Sequence, residues 1–188
     1  MGSKRLWKYA NLAEQIFWCY ASMQMLMVAL KRDLSDYDSA CFAIRQKYFK
    51  GYLEGRYSPS SLVRNTMARF SDLTSCWYCG VPAPKSGLTR DHVLPLSKGG
   101  PDSSDNIFPV CGRCNSSKRD SDLMIWWFST FEVPAPLYLW ASYLKLVYQF
   151  AVAHDLMEMP CEFVAVMDLP FNPRTLRYEF PINHFIDE

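Results

Sequence analysis

The apolar positions in the first third of the chain recur every three or four residues. Leu12, Ile16, Cys19, Met23, Met27 and Leu30 keep that spacing, which lines one face of a helix. It predicts a buried helix through the apolar stretch IFWCYASMQMLMVAL, residues 16–30. Asp36 is placed to cap a second helix running to about Gly55, and Pro59 to open a third over SSLVRNTMARFSDL. From Cys76 the periodicity breaks. Gly80, Pro82, Pro84, Gly87, Gly99, Gly100 and Pro101 crowd one region, which predicts loops and short strands. Strands are expected near 88–94 and 106–110, with a helix starting between Cys111 and Asn115. Beyond Asp122 helical texture returns in WWFSTF and in LYLWASYLKLVYQFAVAHDLM, the latter opened by Pro134 and Pro136. CEFVAVMDL near-alternates and carries β-branched residues, the pattern of a strand.

This patterning divides the 188 residues into a helical region 1–75, a loop-rich segment 76–122 and a mainly helical region 123–188, expected to pack as one compact unit. With 49% hydrophobic and 15% aromatic residues the chain has ample material for a core, which argues against disorder. The stretch 16–30 is short for a membrane span and holds Gln24, and no export signal precedes it. Charge adds one refinement. Residues 1–75 carry eleven Lys/Arg against six Asp/Glu, residues 76–119 six against three, and residues 120–188 three against ten. A polyanion would be drawn to the first two-thirds and repelled by the last.

Seven cysteines include two Cys-x-x-Cys pairs, Cys76/Cys79 and Cys111/Cys114. Without an export signal this pattern favours metal over disulfides and a reducing, cytoplasmic setting. Two such pairs complete a tetrahedral Cys₄ zinc site with no open position, hence a structural Zn²⁺, one per chain. A single redox pair would not need the second knuckle. Cys19, Cys41 and Cys161 sit among apolar residues and read as core fillers.

Between the knuckles come Asp91-His92, the turn Ser97-Lys98-Gly99-Gly100-Pro101-Asp102 and Asn106-Ile107; Asn115-Ser116-Ser117-Lys118 follows the last cysteine. His92 is one of three histidines in the chain and can accept a proton near neutral pH. On an extended strand Asp91 and His92 point to opposite sides, so they can serve different partners. In this order and spacing, residues 76–120 resemble the HNH endonuclease family in its four-cysteine form. The resemblance implies an α+β fold with a ββα-metal (His-Me finger) nuclease core and a Cys₄ zinc site, set between mainly helical N- and C-terminal extensions. It also implies catalytic roles. His92 would be the general base, Asp91 and Asn115 the ligands of a catalytic metal, and Asn106 the residue that orients the histidine through its side chain or backbone. A carboxylate and an amide oxygen suit a hard ion, Mg²⁺ or Mn²⁺. Lys118, Arg119 and Arg113, with Arg90, are the expected phosphate contacts. His154 and His184 are too remote from the motif to share in it.

The activity implied is metal-dependent hydrolysis of DNA to 5′-phosphate and 3′-hydroxyl ends, with RNA an alternative substrate, in restriction, phage or anti-phage defence. A second reading is a zinc-stabilised nucleic-acid-binding subunit of a larger complex, with weak or no cleavage of its own. Double-strand cutting by one motif would call for a dimer or two encounters; the helical flanks offer surface for a homodimer or a partner protein, and no membrane is expected.

Overall fold

The computed structural model describes residues 9–59 and 74–185. Their backbone contacts group them into two compact units: residues 9–59 with 151–167 and 173–185, and residues 74–150 with 168–172. The third helix expected after Pro59, with Arg64 and Arg69, lies outside the described residues. Among those described, no helix is long and apolar enough to cross a membrane.

The first unit is built on two helices, α1 (Leu12–Lys31) and α2 (Ser39–Leu53). Asn11 caps α1 by accepting from the Glu14 backbone N–H at 2.9 Å, while the Glu14 carboxylate accepts from the Ala10 N–H at 3.0 Å. The first bond satisfies an orphan amide of the helix start, and the second ties the residue before the cap to the first turn. Leu12, Ile16, Cys19 and Met23 are buried as their spacing predicts, but Met27 is exposed and the buried stripe continues through Leu26 and Ala29. Leu26, three residues after Met23, keeps the four-three alternation of the buried stripe, whereas Met27 would be a second successive step of four. Asp38, not Asp36, caps α2: it accepts from the Cys41 N–H at 2.9 Å and is gripped by Arg32 through both carboxylate oxygens. Asp36 instead closes a local turn on the Tyr37 N–H.

The expected strand CEFVAVMDL is a single helical turn, α6 (Cys161–Val164), followed by bends. Its buried residues are Cys161 and Val164, three apart, whereas Phe163 and Val166 are exposed. The burial period is helical, and among the described residues no strand pairs with this segment. Gln15 is buried in this unit, donating from Nε2 to the Pro173 carbonyl and accepting at Oε1 from the Cys161 thiol. Cys19, Cys41 and Cys161 are all free and buried, as expected of core fillers.

The second unit contains a two-stranded antiparallel sheet, β1 (Thr89–His92) against β2 (Ile107–Val110), with Asp91 opposite Phe108 and His92 opposite Ile107. Three helices follow: α3 (Gly112–Lys118), α4 (Leu123–Thr130) and α5 (Leu137–Ala153), the last belonging to this unit as far as Phe150. The fold is therefore mixed, helices with one small antiparallel sheet, and the β-β-α order expected of residues 88–118 is present. Its core gathers Val93, Leu94, Phe108, Val110, Trp126, Trp140, Tyr143 and Leu144. Phe108 packs edge-on against Trp77 with centroids 4.9 Å apart, and Tyr78 lies 5.1 Å from Trp126. The side chain of Asp122 ties three segments of the unit together. It caps α4 at the Ile125 N–H and accepts from the Tyr143 hydroxyl and from the Asn172 N–H.

Candidate active site and zinc site

The knuckle 74–83 is a tight hairpin. The Cys76 N–H donates to the Val81 carbonyl at 2.8 Å, and the Gly80 N–H to the Cys76 carbonyl at 2.9 Å. Gly80 has φ +70°, a turn conformation that glycine adopts without strain. The Trp77 N–H donates to the carbonyl of Pro109 in β2 and so fastens the hairpin to the sheet. Cys111 stands at the N-cap of α3 and Cys114 one turn on. The four sulfurs lie within 4.8 Å of one another, Cys79 Sγ being 3.9 Å from Cys111 Sγ. Zn–S bonds of about 2.3 Å at tetrahedral angles place sulfurs about 3.8 Å apart, so the cluster fits a Zn²⁺ ion. Burial and the neighbouring sulfurs push the Cys114 thiol well up. Such a cluster ionises together only with a cation among the sulfurs.

The strand β1 carries Asp91 and His92 to the other part of the site. Their alternation holds: Asp91 is buried and His92 half-buried. Asp91 turns inward, where its Oδ2 accepts from the Tyr78 hydroxyl at 2.6 Å and lies 3.0 Å from Lys118 Nζ. Its Oδ1 receives no hydrogen bond from the described residues. Asn115 uses its Nδ2 to donate to Thr89 Oγ1 and the Arg90 carbonyl, at 3.1 and 3.2 Å. Its Oδ1 is likewise uncommitted among the described residues. Asp91, His92 and Asn115 line one open cleft of about 260 Å³. Arg90, Arg119 and Asp120 border it, with Pro95, Leu96 and Ser97 on the loop side. The donors left over are a carboxylate oxygen and an amide oxygen, a set that fits a hard divalent cation.

The expected strand to residue 94 stops at His92, and Asn106 accounts for the difference. Its side-chain amide takes the place of a strand partner: Oδ1 accepts from the Leu94 N–H and Nδ2 donates to the Leu94 carbonyl, both at 2.8 Å. The same Nδ2 reaches the Pro101 carbonyl at 2.8 Å. Gly100 closes the loop beside them, because a Cβ there would stand 2.1 Å from the Leu94 carbonyl oxygen. Asn106 thus braces the segment 93–106 and does not touch the His92 ring. The ring's Nε2 is instead 3.0 Å from Asp102 Oδ1.

Residues 76–122 match the HNH endonuclease family.

Two relatives resemble parts of the chain, both described as CRISPR-associated endonuclease Cas9. The protein of Corynebacterium diphtheriae is 38% identical over 52 residues, 27% of this chain. That of Actinomyces naeslundii is 31% identical over 101 residues, 52% of this chain. The chain spans only 5% and 9% of the lengths of these two proteins. No solved structure matches it.

Two expected phosphate contacts of the HNH segment, Lys118 and Arg113, lie elsewhere than expected. Lys118 is fully buried, with Nζ donating to the His92 carbonyl at 2.7 Å and paired with Asp91. It cannot also meet a phosphate from solvent; it is the internal counter-ion of Asp91. Burial lowers the Lys118 pKa and the neighbouring Asp91 opposes that fall. Arg113 is exposed on α3 but does not line the cleft, whereas Arg90 and Arg119 do. Arg119 holds φ +52°, a strained backbone for a side chain, and sits one turn beyond Asn115. His154 and His184 are exposed outside the cleft, His184 Nδ1 lying 2.9 Å from the Tyr178 hydroxyl.

Three residues of the site escaped the sequence reading: Tyr78, Asp102 and the inward role of Lys118. The last had a signal. Cys111, Cys114 and Lys118 fall at i, i+3 and i+7, one face of a helix, so a lysine sharing that face with two buried cysteines points inward. For Tyr78 the only signal is an aromatic between knuckle cysteines, and Asp102 carries none beyond its place after the glycine turn.

Proposed function

We propose that the chain is a metal-dependent DNA endonuclease that hydrolyses phosphodiester bonds to 5′-phosphate and 3′-hydroxyl ends. The observation that supports this best is that a half-buried histidine and two residues with an uncommitted oxygen, Asp91 and Asn115, line one cleft together with Arg90 and Arg119. In this reading His92 takes a proton from water as the water oxygen bonds to phosphorus. The bond from phosphorus to the 3′ oxygen breaks, and that oxygen takes a proton from solvent. A Mg²⁺ or Mn²⁺ ion on Asp91 and Asn115 would supply charge neutralisation at the phosphate and leaving oxygen. Lys118 and Tyr78 hold Asp91 by Oδ2, which keeps the carboxylate in one orientation. The Lys118 ammonium also offsets part of its charge, which would weaken the hold of Asp91 on a cation. Arg90 and Arg119, which line the same cleft, would meet the phosphate backbone there.

Zn²⁺ on Cys76, Cys79, Cys111 and Cys114 serves as a structural pin, which suits a reducing, cytoplasmic compartment. The short share of the Cas9 relatives that is covered favours a second reading, in which this nuclease segment acts together with a partner protein or a second copy. The test of the reaction is supercoiled plasmid with Mg²⁺ or Mn²⁺, followed by DNA ligase. Nicks that need the divalent ion and are resealed by the ligase are expected. Nicks that persist in chelator, or that ligase cannot reseal, would overturn the assignment.

A further inference from the structure

The ring of His92 is held from one side by Asp102, and the way that contact is built assigns Asp102 a task. Asp102 lies ten residues after His92, on the far limb of the loop between β1 and β2, and its Oδ1 is 3.0 Å from His92 Nε2. The limb is not free to drift. The carbonyl of Pro101, immediately before Asp102, is held by the buried Asn106 side chain at 2.8 Å. Gly100, one residue earlier, lies against the Leu94 carbonyl and donates its N–H to the Pro95 carbonyl at 3.0 Å. Asn106 is itself fixed through both groups of Leu94, two residues beyond His92. The carboxylate is therefore presented to the imidazole by a braced loop, although the Asp102 side chain is 74% exposed.

We infer that Asp102 is a positioning residue for His92, fixing the imidazole in the tautomer that leaves Nδ1 to take the proton from water. A carboxylate only accepts hydrogen bonds, so the contact requires the proton on Nε2. The remaining lone pair of the neutral ring is then on Nδ1. Asn106 acts on the histidine at two removes, through the Pro101 carbonyl and Asp102. Because Asp102 is well exposed, its contribution lies in orientation and tautomer, not in a strong Coulombic effect.

The inference rests on the nuclease reading for its kinetic arm and stands apart from it for its spectroscopic arm. The proteins compared are the full chain, Asp102→Ala and Asp102→Asn, with plasmid nicking measured in Mn²⁺. Asp102→Ala is expected to lower kcat about tenfold, a fraction of the loss caused by removing a general base, with KM for plasmid unchanged. Asp102→Asn keeps an acceptor oxygen and is expected to recover most of that loss. Unchanged or raised kcat in Asp102→Ala would overturn the assignment, a rise showing that Asp102 blocks the ring. The second arm is ¹⁵N NMR of the three histidines at a pH where His92 is neutral, its signal assigned by loss in His92→Gln. Wild-type His92 should show a protonated Nε2 and an unprotonated Nδ1, and Asp102→Ala shifts averaged between tautomers. Identical spectra would overturn the inference even if the wild-type protein cut no DNA.

Discussion

Lys118 and Arg119 are neighbours in the chain with opposite surroundings. Lys118 is fully buried on Asp91 and the His92 carbonyl, while Arg119 is exposed at the rim of the cleft. Composition treats both as cations near a phosphate site; helical periodicity separates them, since only Lys118 continues the face of Cys111 and Cys114. Removing one partner of a buried ion pair strands the other charge away from water, at a cost of about 3–5 kcal/mol. Lys118→Met is thus expected to lower unfolding stability by about that much, read by urea denaturation. Arg119→Ala should change stability by under about 0.5 kcal/mol while weakening DNA binding. A Lys118→Met protein as stable as wild type, with only DNA binding reduced, would return Lys118 to the phosphate contacts.

At the scale of elements, the ββα order was legible because glycine and proline punctuation bounds short strands and the knuckle cysteines mark the start of α3. The strand ends were not, since Asn106 replaces a backbone partner at Leu94 by its side chain, which no period records. CEFVAVMDL failed for a related reason: apolar residues at spacings of two and three coexist there, and burial of Cys161 and Val164 selects the helical one. The cap of α4 offers a test at this scale. Burial raises the pKa of Asp122 above the ordinary carboxylate value, and its hydrogen bonds from Tyr143, Ile125 and Asn172 only partly oppose that. A carboxyl with a raised folded-state pKa contributes stability that is fully present below its unfolded pKa, about 3.9, and declines as pH rises through the folded value. Asp122→Asn is therefore expected to cost more stability near pH 4 than near pH 7, measured as the difference from wild type in urea midpoints. A cost that grows with pH would contradict the raised pKa.

For the molecule as a whole, the motif read from residues 76–122 carried most of the functional information, and the flanks carried little. Their helices follow from apolar period and capping residues, but nothing in that pattern states which segments group together. Residues 123–150 share a unit with the HNH segment, while 151–167 and 173–185 group with α1 and α2. A zinc ion on the four cysteines would supply the hold that a loop-rich segment with two four-residue strands needs. Purified protein is expected to carry one Zn²⁺ per chain. Its removal by a strong chelator should abolish hydrogen-exchange protection around β1, β2 and α3 while α1 and α2 keep theirs. Protection unchanged after zinc is stripped would show that the four sulfurs do not pin the fold.

Whether His92 activates water in this cleft is read most directly from single-turnover nicking of supercoiled plasmid by wild type and His92→Ala in Mn²⁺. A fall in rate of about 10²- to 10⁴-fold is expected, with DNA affinity and folding retained. Equal nicking by the two proteins would contradict that role.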